Sequence, residues 1–147
     1  MFDPRWQALQ ARLTPIAHLP DSPEGFHRQA AVLVPIVTLA NPELILTRRA
    51  AHLASHAGEI AFPGGRWEPD DQTLLHTALR ESHEEIALPP HAVIPLGTLP
   101  VYCTRAGVRV TPVVGLVPEQ QAFVPQLAEL DSIFTVPLHF FSAANAT

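Results

Sequence analysis

Residues 62 to 88 read Phe62-Pro63-Gly64-Gly65-Arg66-Trp67-Glu68-Pro69-Asp70-Asp71-Gln72-Thr73-Leu74-Leu75-His76-Thr77-Ala78-Leu79-Arg80-Glu81-Ser82-His83-Glu84-Glu85-Ile86-Ala87-Leu88, and the fold is decided there. From Thr73 to Ile86 the apolar residues Leu75, Ala78, Leu79 and Ile86 share one face, Asp70 and Asp71 offer N-cap oxygens, and Pro89-Pro90 stops the helix. Successive helical residues advance by about 100°. Glu81 and Glu85 therefore share a face and Glu84 lies on the neighbouring edge, so three carboxylates are expected to converge. Their repulsion is costly unless a cation offsets it, and hard oxygen ligands suit Mg²⁺ or Mn²⁺. A solvated acidic helix face is the competing reading of the same residues. Phe62-Pro63-Gly64-Gly65 tips the balance, because glycine lets the backbone turn sharply and come close to a ligand, offering a carbonyl beside the acids.

Working outward, AAVLVPIVTL from Ala30 is nearly all apolar and β-rich, Asn41-Pro42-Glu43 is a turn, and LILT follows as a second strand. Glu59-Ile60-Ala61-Phe62 reads as a short strand ending at the glycines. Beyond the helix come AVIPLGTL, VRVTPVVGLV and SIFTV. Upstream, Trp6, Leu9 and Leu13 recur at helical spacing after Pro4, and Leu19 to Gly25 reads as a loop. Helices flanking a mixed sheet make an α/β sandwich the expected class. Residues 1–25 are expected to form a helix-and-loop appendage, and residues 26–147 the main domain.

At 147 residues and 47% hydrophobic, the chain can bury one core without disulfides. A net charge of -5, with no basic cluster longer than Arg48-Arg49, argues against nucleic acid or an anionic membrane as the partner. Cys103 is the lone cysteine and the eight histidines lack zinc-ligand spacing, which fits a reducing, cytoplasmic setting. The first thirty residues carry Asp3, Arg5, Arg12, Asp21 and Glu24 and form neither a signal peptide nor a membrane span. Cys103 with Tyr102 reads as packing, and His52, His76 and His83 as solvent-facing.

Arg80-Glu81, Glu84-Glu85 and Leu88 resemble the Nudix box, whose pattern is Gly, five residues, Glu, seven residues, then Arg-Glu-U-x-Glu-Glu-x-Gly-U with U aliphatic. Ala87 replaces the late glycine, Ser82 replaces the first aliphatic residue, and an extra residue lies between Gly65 and Arg80. That shift puts Asp71, with Glu68 as the alternative, in the place of the early glutamate that pairs with the box arginine. The extra residue is a feature of the coenzyme A pyrophosphatase branch, and so is the stretch Leu44-Ile45-Leu46-Thr47-Arg48-Arg49-Ala50-Ala51-His52-Leu53-Ala54-Ser55-His56-Ala57-Gly58-Glu59 that runs into Phe62. Arg49, Ala50, Leu53, His56, Gly58 and Glu59 fall on that branch's motif positions. Gly107 to Gly115 and Glu129 to Leu138 are also similar to it.

The resemblance implies a Nudix-type α/β/α sandwich around a central mixed sheet. It implies hydrolysis of the diphosphate of coenzyme A, and of its thioesters, to 3',5'-ADP and 4'-phosphopantetheine with Mg²⁺ or Mn²⁺. Glu81 and Glu85 are the expected metal ligands, Glu84 completes or bridges the cluster, and the Gly65 carbonyl is a further ligand. Arg80 pairs with an acid from the turn and orients the helix, a role compatible with an ordinary i,i+4 ion pair to Glu84. Glu129 is the candidate general base from outside the box, an exposed loop glutamate being the alternative. Arg49 and His56 are expected to meet phosphate or nucleotide groups, although His56 beside Gly58 also suits a loop-holding role. Two rivals stand: a Nudix hydrolase of another diphosphate such as ADP-ribose, and a non-catalytic module that keeps the fold. Pro137 to Thr147 supply at most about two or three helical turns, short of the C-terminal helix usual in relatives. Monomer and homodimer both remain open.

Overall fold

The computed structural model describes residues 3–20, 28–119 and 121–141. The expected loop from Leu19 to Gly25 falls largely outside them. The elements run α1 (Pro4–Arg12), β1 (Gln29–Val37), β2 (Glu43–Arg49), β3 (Ile60–Ala61), β4 (Gly64–Arg66), α2 (Leu74–Ile86), β5 (Ile94–Thr98), β6 (Tyr102–Cys103), β7 (Arg109–Val117) and β8 (Leu130–Pro137). None of the described helices is long and apolar enough to cross a membrane.

The sheet is built on β1 and β7, which pair in parallel along their whole length from Gln29↔Arg109 to Val37↔Val117. Both strands are buried on two faces, which is why they read as continuous apolar runs. Side chains alternate: Ala31, Leu33 and Val37 enter the core beneath α2, while Val34 and Ile36 enter the cluster beneath α1. The other pairings are antiparallel, so the sheet is mixed.

The free edge of β1 is shared. Its first half pairs with β4 (Ala30↔Arg66, Val32↔Gly64) and its end pairs with β2 (Ile36↔Leu44). β2 continues away from β1, carrying β3 on one edge and β8 on the other. Phe62-Pro63 thus crosses a fork in the sheet, and the Pro63 carbonyl accepts the Leu33 amide at 2.8 Å.

Two layers of helix complete the α/β/α sandwich. Leu74, Ala78 and Ile86 of α2 pack on Ile45, Val113 and Val117. On the opposite face Trp6 and Leu13 join Ile36, Leu44, Leu96 and Leu116. The N-terminal helix forms the second layer, and Thr14 bridges to Thr98 of β5.

Three local expectations are corrected. The N-cap of α2 is Thr73, whose hydroxyl accepts the His76 amide at 3.3 Å, because Asp71 turns its carboxylate elsewhere. Gly64-Gly65 is the strand β4 rather than a sharp turn, and at Gly64 glycine is needed for close backbone approach rather than for φ. A Cβ on Gly64 would overlap the Ala31 carbonyl and Val32, and one on Gly65 would lie 2.5 Å from the Glu81 carboxyl carbon. Tyr102 and Cys103 are exposed on β6, not packed.

Ser82, in the aliphatic position, is fully buried and donates its hydroxyl to the Ala78 carbonyl at 2.8 Å, which satisfies it within the helix. Ala87 ends α2 in the left-handed region (φ 59°, ψ 28°), its amide donating to the His83 carbonyl. A non-glycine residue is strained there. Ala87→Gly is expected to stabilise the protein by about 0.5–1 kcal/mol, raising Tm by about 2–4 °C in a thermal melt; a lower Tm would show that the strain is relieved elsewhere.

Candidate functional site

The site lies where α2 meets β4. Arg80 is its organiser. Its Nε donates to Asp71 Oδ1 at 2.8 Å and its Nη2 to Asp71 Oδ2 at 3.0 Å, a bidentate pair with a carboxylate almost wholly buried. Nη2 also donates to the Arg66 carbonyl at 3.0 Å, and Nη1 to Glu81 Oε1 at 3.0 Å. The Glu84 oxygens are 3.4 Å from Nη1, the expected i,i+4 contact, and Glu68 is at 3.7 Å. Of the two acids proposed for the early box position, Asp71 makes the close pair.

Asp71 is held in turn. Its Oδ2 accepts the Glu68 amide at 3.0 Å and the Thr77 hydroxyl at 2.9 Å, and its carbonyl accepts Trp67 Nε1–H at 3.0 Å. Burial pushes the Asp71 carboxyl upward, but the hydrogen bonds from Arg80, Glu68 and Thr77 more than reverse this and leave its pKa below the usual carboxylate value.

Glu81 and Glu85 face each other beneath the glycines. Glu85 is buried, with its pKa pushed up to about 9 by desolvation, by a hydrogen bond shared with Glu81 and by the Glu81 and Glu129 charges, the Gly64 amide opposing. Burial also raises Glu81, against the lowering contacts with Glu85 and Arg80. Two carboxyls in this position share a proton unless a cation takes its place. Among the described residues no three acidic, histidine or cysteine side chains are grouped so as to hold a metal as they stand. Glu84 lies beside the Glu81–Glu85 pair with its exposed side chain toward Arg80. The pair, with Gly65 against it, still fits a hard divalent cation, since replacing the shared proton would remove the repulsion.

Glu129 precedes β8 and is exposed, and its charge reaches Glu85. Arg49 ends β2 with its Nη2 donating to the Ser55 carbonyl at 3.4 Å and its buried Nε without a hydrogen-bond partner among the described residues. His56 has left-handed backbone (φ 58°) and its Nδ1 lies 3.1 Å from both Glu59 oxygens, so the ring is engaged within its own turn while remaining largely exposed. His52, His76 and His83 are exposed as expected. A cleft of about 490 Å³ runs along the outer side of α2 past Leu75, Leu79 and His83; it meets Arg80 but neither Glu81 nor Glu85.

Sequence reasoning missed Thr77 and Trp67. A threonine at a helical i+4 position from its N-cap and a tryptophan after a strand carry no special signal; only the buried Asp71 gives them a task.

Because the folded Asp71 pKa is depressed, its pairing contributes stability above pH 3.8 that is lost as pH falls through the folded value. Asp71→Asn is expected to cost about 2 kcal/mol at pH 7, and the gap from wild type should narrow as pH drops below about 4. A pH-independent difference in denaturant titrations would contradict the charge-based account.

Comparison with known proteins agrees with this geometry. The family model for the NUDIX domain matches residues 27–139. The "Uncharacterized Nudix hydrolase NudL" proteins of Yersinia pestis and Yersinia pseudotuberculosis are 50% identical over 113 residues, 77% of this chain and 57% of theirs, so the chain spans little more than half the length of these relatives. Among solved structures, a C. elegans Ap4A hydrolase binary complex aligns with a TM-score of 0.64 at 19% identity, over 75% of this chain and 80% of that one. The NUDIX domain of Shewanella oneidensis NrtR complexed with ADP ribose aligns with a TM-score of 0.57 at 21% identity, over 94% and 84%. At these identities the structures show a shared fold. With its sandwich, its forked sheet and its acid-bearing helix, the chain belongs to the Nudix family.

Proposed function

We propose that the chain is a pyrophosphatase that cleaves the diphosphate of coenzyme A, and of its thioesters, into 3',5'-ADP and 4'-phosphopantetheine, using Mg²⁺ or Mn²⁺. The observation that carries the reaction type is the buried Glu81–Glu85 pair against Gly65, which cannot carry its full charge unaided. The substrate choice draws on the Leu44 to Phe62 stretch and the extra residue before Arg80.

Glu81 and Glu85 would hold the ion, with Glu84 completing the set and the Gly65 carbonyl as a further oxygen. A bound divalent ion would screen the diphosphate and acidify the attacking water. Arg80 touches no reacting atom; through Asp71 and the Arg66 carbonyl it fixes the helix acids against β4. Glu129 would accept the proton as the water oxygen bonds to phosphorus and the bridging P–O bond breaks, the bridging oxygen leaving on the second phosphate. Arg49, whose buried Nε lacks a partner among the described residues, would donate to phosphate oxygens, and His56 would present its exposed ring to the nucleotide side. ADP-ribose is the second reading, supported by the ADP ribose bound to the NrtR domain that shares this fold.

Incubation of CoA, acetyl-CoA, oxidised CoA and ADP-ribose with Mg²⁺ or Mn²⁺, with products identified by mass, should show CoA as the best substrate and no turnover with chelator. Faster turnover of ADP-ribose would overturn the substrate assignment. Glu85→Gln is expected to lower kcat by at least about 100-fold with the fold intact by circular dichroism, and wild-type activity in this variant would remove the metal assignment. A carboxyl raised from 4.5 to about 9 on folding makes the metal-free protein lose stability as pH climbs through that window. Melts with chelator should therefore show Tm falling between those pH values, Glu85→Gln should flatten the trend, and Mg²⁺ binding at pH 7 should release a proton in calorimetry across buffers.

A further inference from the structure

The β2–β8 ladder changes register between Arg48, paired with Ser132, and Arg49, paired with Leu130. Asp131 is the residue left over. A bulge re-aims the side chain of its extra residue, and here the Asp131 carboxylate turns back across the strands to accept the Ala51 amide at 3.2 Å. Two more bonds cross the same gap. The Ala50 amide donates to the Glu129 carbonyl at 2.8 Å, and His52 Nε2 lies 3.2 Å from the Ala128 carbonyl, which can only accept. The loop that follows Arg49 and contains His56 is thus stitched to the segment that presents Glu129.

That segment is anchored at its other end by the box helix. The Val124 amide donates to the Ile86 carbonyl at 3.1 Å and the Gln126 amide to the Glu85 carbonyl at 2.8 Å, two carbonyls of the last helical turn. Leu130, buried at 2% exposure, fixes the chain immediately after Glu129. Residues 124–131 therefore form a strap between the carboxylate pair and the Arg49 loop.

We propose that Asp131 is a positioning residue, assisted by His52, that sets the Glu129 segment and the Arg49–Glu59 loop as one unit, so that the proton acceptor and the phosphate-binding loop take up their places together. The kinetic part rests on the reading of Glu129 and Arg49 given above; the mechanical part does not. A reacting group displaced by about 1 Å can cost as much as 100-fold in rate, so a single side-chain acceptor at a bulge has leverage beyond its own bond strength.

The test compares Asp131→Ala, Asp131→Asn and His52→Ala in the full chain with Mg²⁺. Asp131→Ala should lower kcat for CoA about three- to tenfold and raise KM, while Asp131→Asn, which keeps an oxygen acceptor, should stay within about twofold of wild type. His52→Ala should move both constants the same way by less. Hydrogen exchange gives a readout independent of turnover: in Asp131→Ala the amides of 50–59 and 126–130 should lose protection together, with those of 78–86 unchanged. Wild-type kinetics and exchange in Asp131→Ala, loss of protection in one segment alone, or an Asp131→Asn as impaired as Asp131→Ala would each overturn the proposal. If the wild-type protein leaves CoA intact, paired loss of protection still upholds the coupling, and the substrate reading alone fails.

Discussion

The guanidinium of Arg80 is the contact that holds the acid-bearing helix against β4. It reaches the buried Asp71 with two nitrogens, the Arg66 carbonyl of β4 with one of them, and Glu81 with the third, so one planar cation joins the strand, the connecting turn and the helix. A lysine ammonium has no fixed fork with which to span these partners. The cation also supplies the positive charge that lets Glu81, Glu84 and Asp71 lie near one another. Only Glu85, which the guanidinium does not touch, is left with a strongly raised pKa.

The same contrast divides the two kinds of acid in this protein. Asp71 is buried and ionised because its charge is met by an arginine, an amide and a hydroxyl. Glu85 is raised first by its burial and then by the neighbouring acid, with a single amide opposing. Burial pushes both carboxyls upward, and only at Asp71 do the donors outweigh it. Asp71 serves the architecture, whereas Glu85 keeps a raised pKa beside its fellow acid.

Much of this was legible in the residues. The helix from Leu74 to Ile86, the long strands of β1 and β7 and the juxtaposition of Glu81 with Glu85 follow from periodicity, because burial on one face or two writes itself into composition. What was not legible is where a residue had two competing uses. Asp71 looks like an N-cap, and in an isolated peptide it would be one; tertiary pairing with Arg80 takes it away and Thr73 caps instead. Gly64-Gly65 looks like a turn, since nothing local shows that Ala31 and Glu81 come too close for a Cβ. Glu84 shares the acid face by helix geometry, and its exposed side chain also lies within reach of Arg80 one turn earlier. The β6 strand was missed because two residues carry too little pattern to read.

The parallel union of β1 with β7 bears on the life of the chain before it is folded. The two strands that make the centre of the sheet lie roughly 80 residues apart in sequence, and the glycines, the acid-bearing helix and Arg80 all sit inside the loop that their pairing closes. Closing so long a loop is entropically unfavourable until many contacts form at once. During synthesis the helix and the glycine strand therefore emerge well before the strand that completes their support. Glu81 and Glu85 share one helix from the start, but the core beneath that helix closes only when β7 pairs with β1.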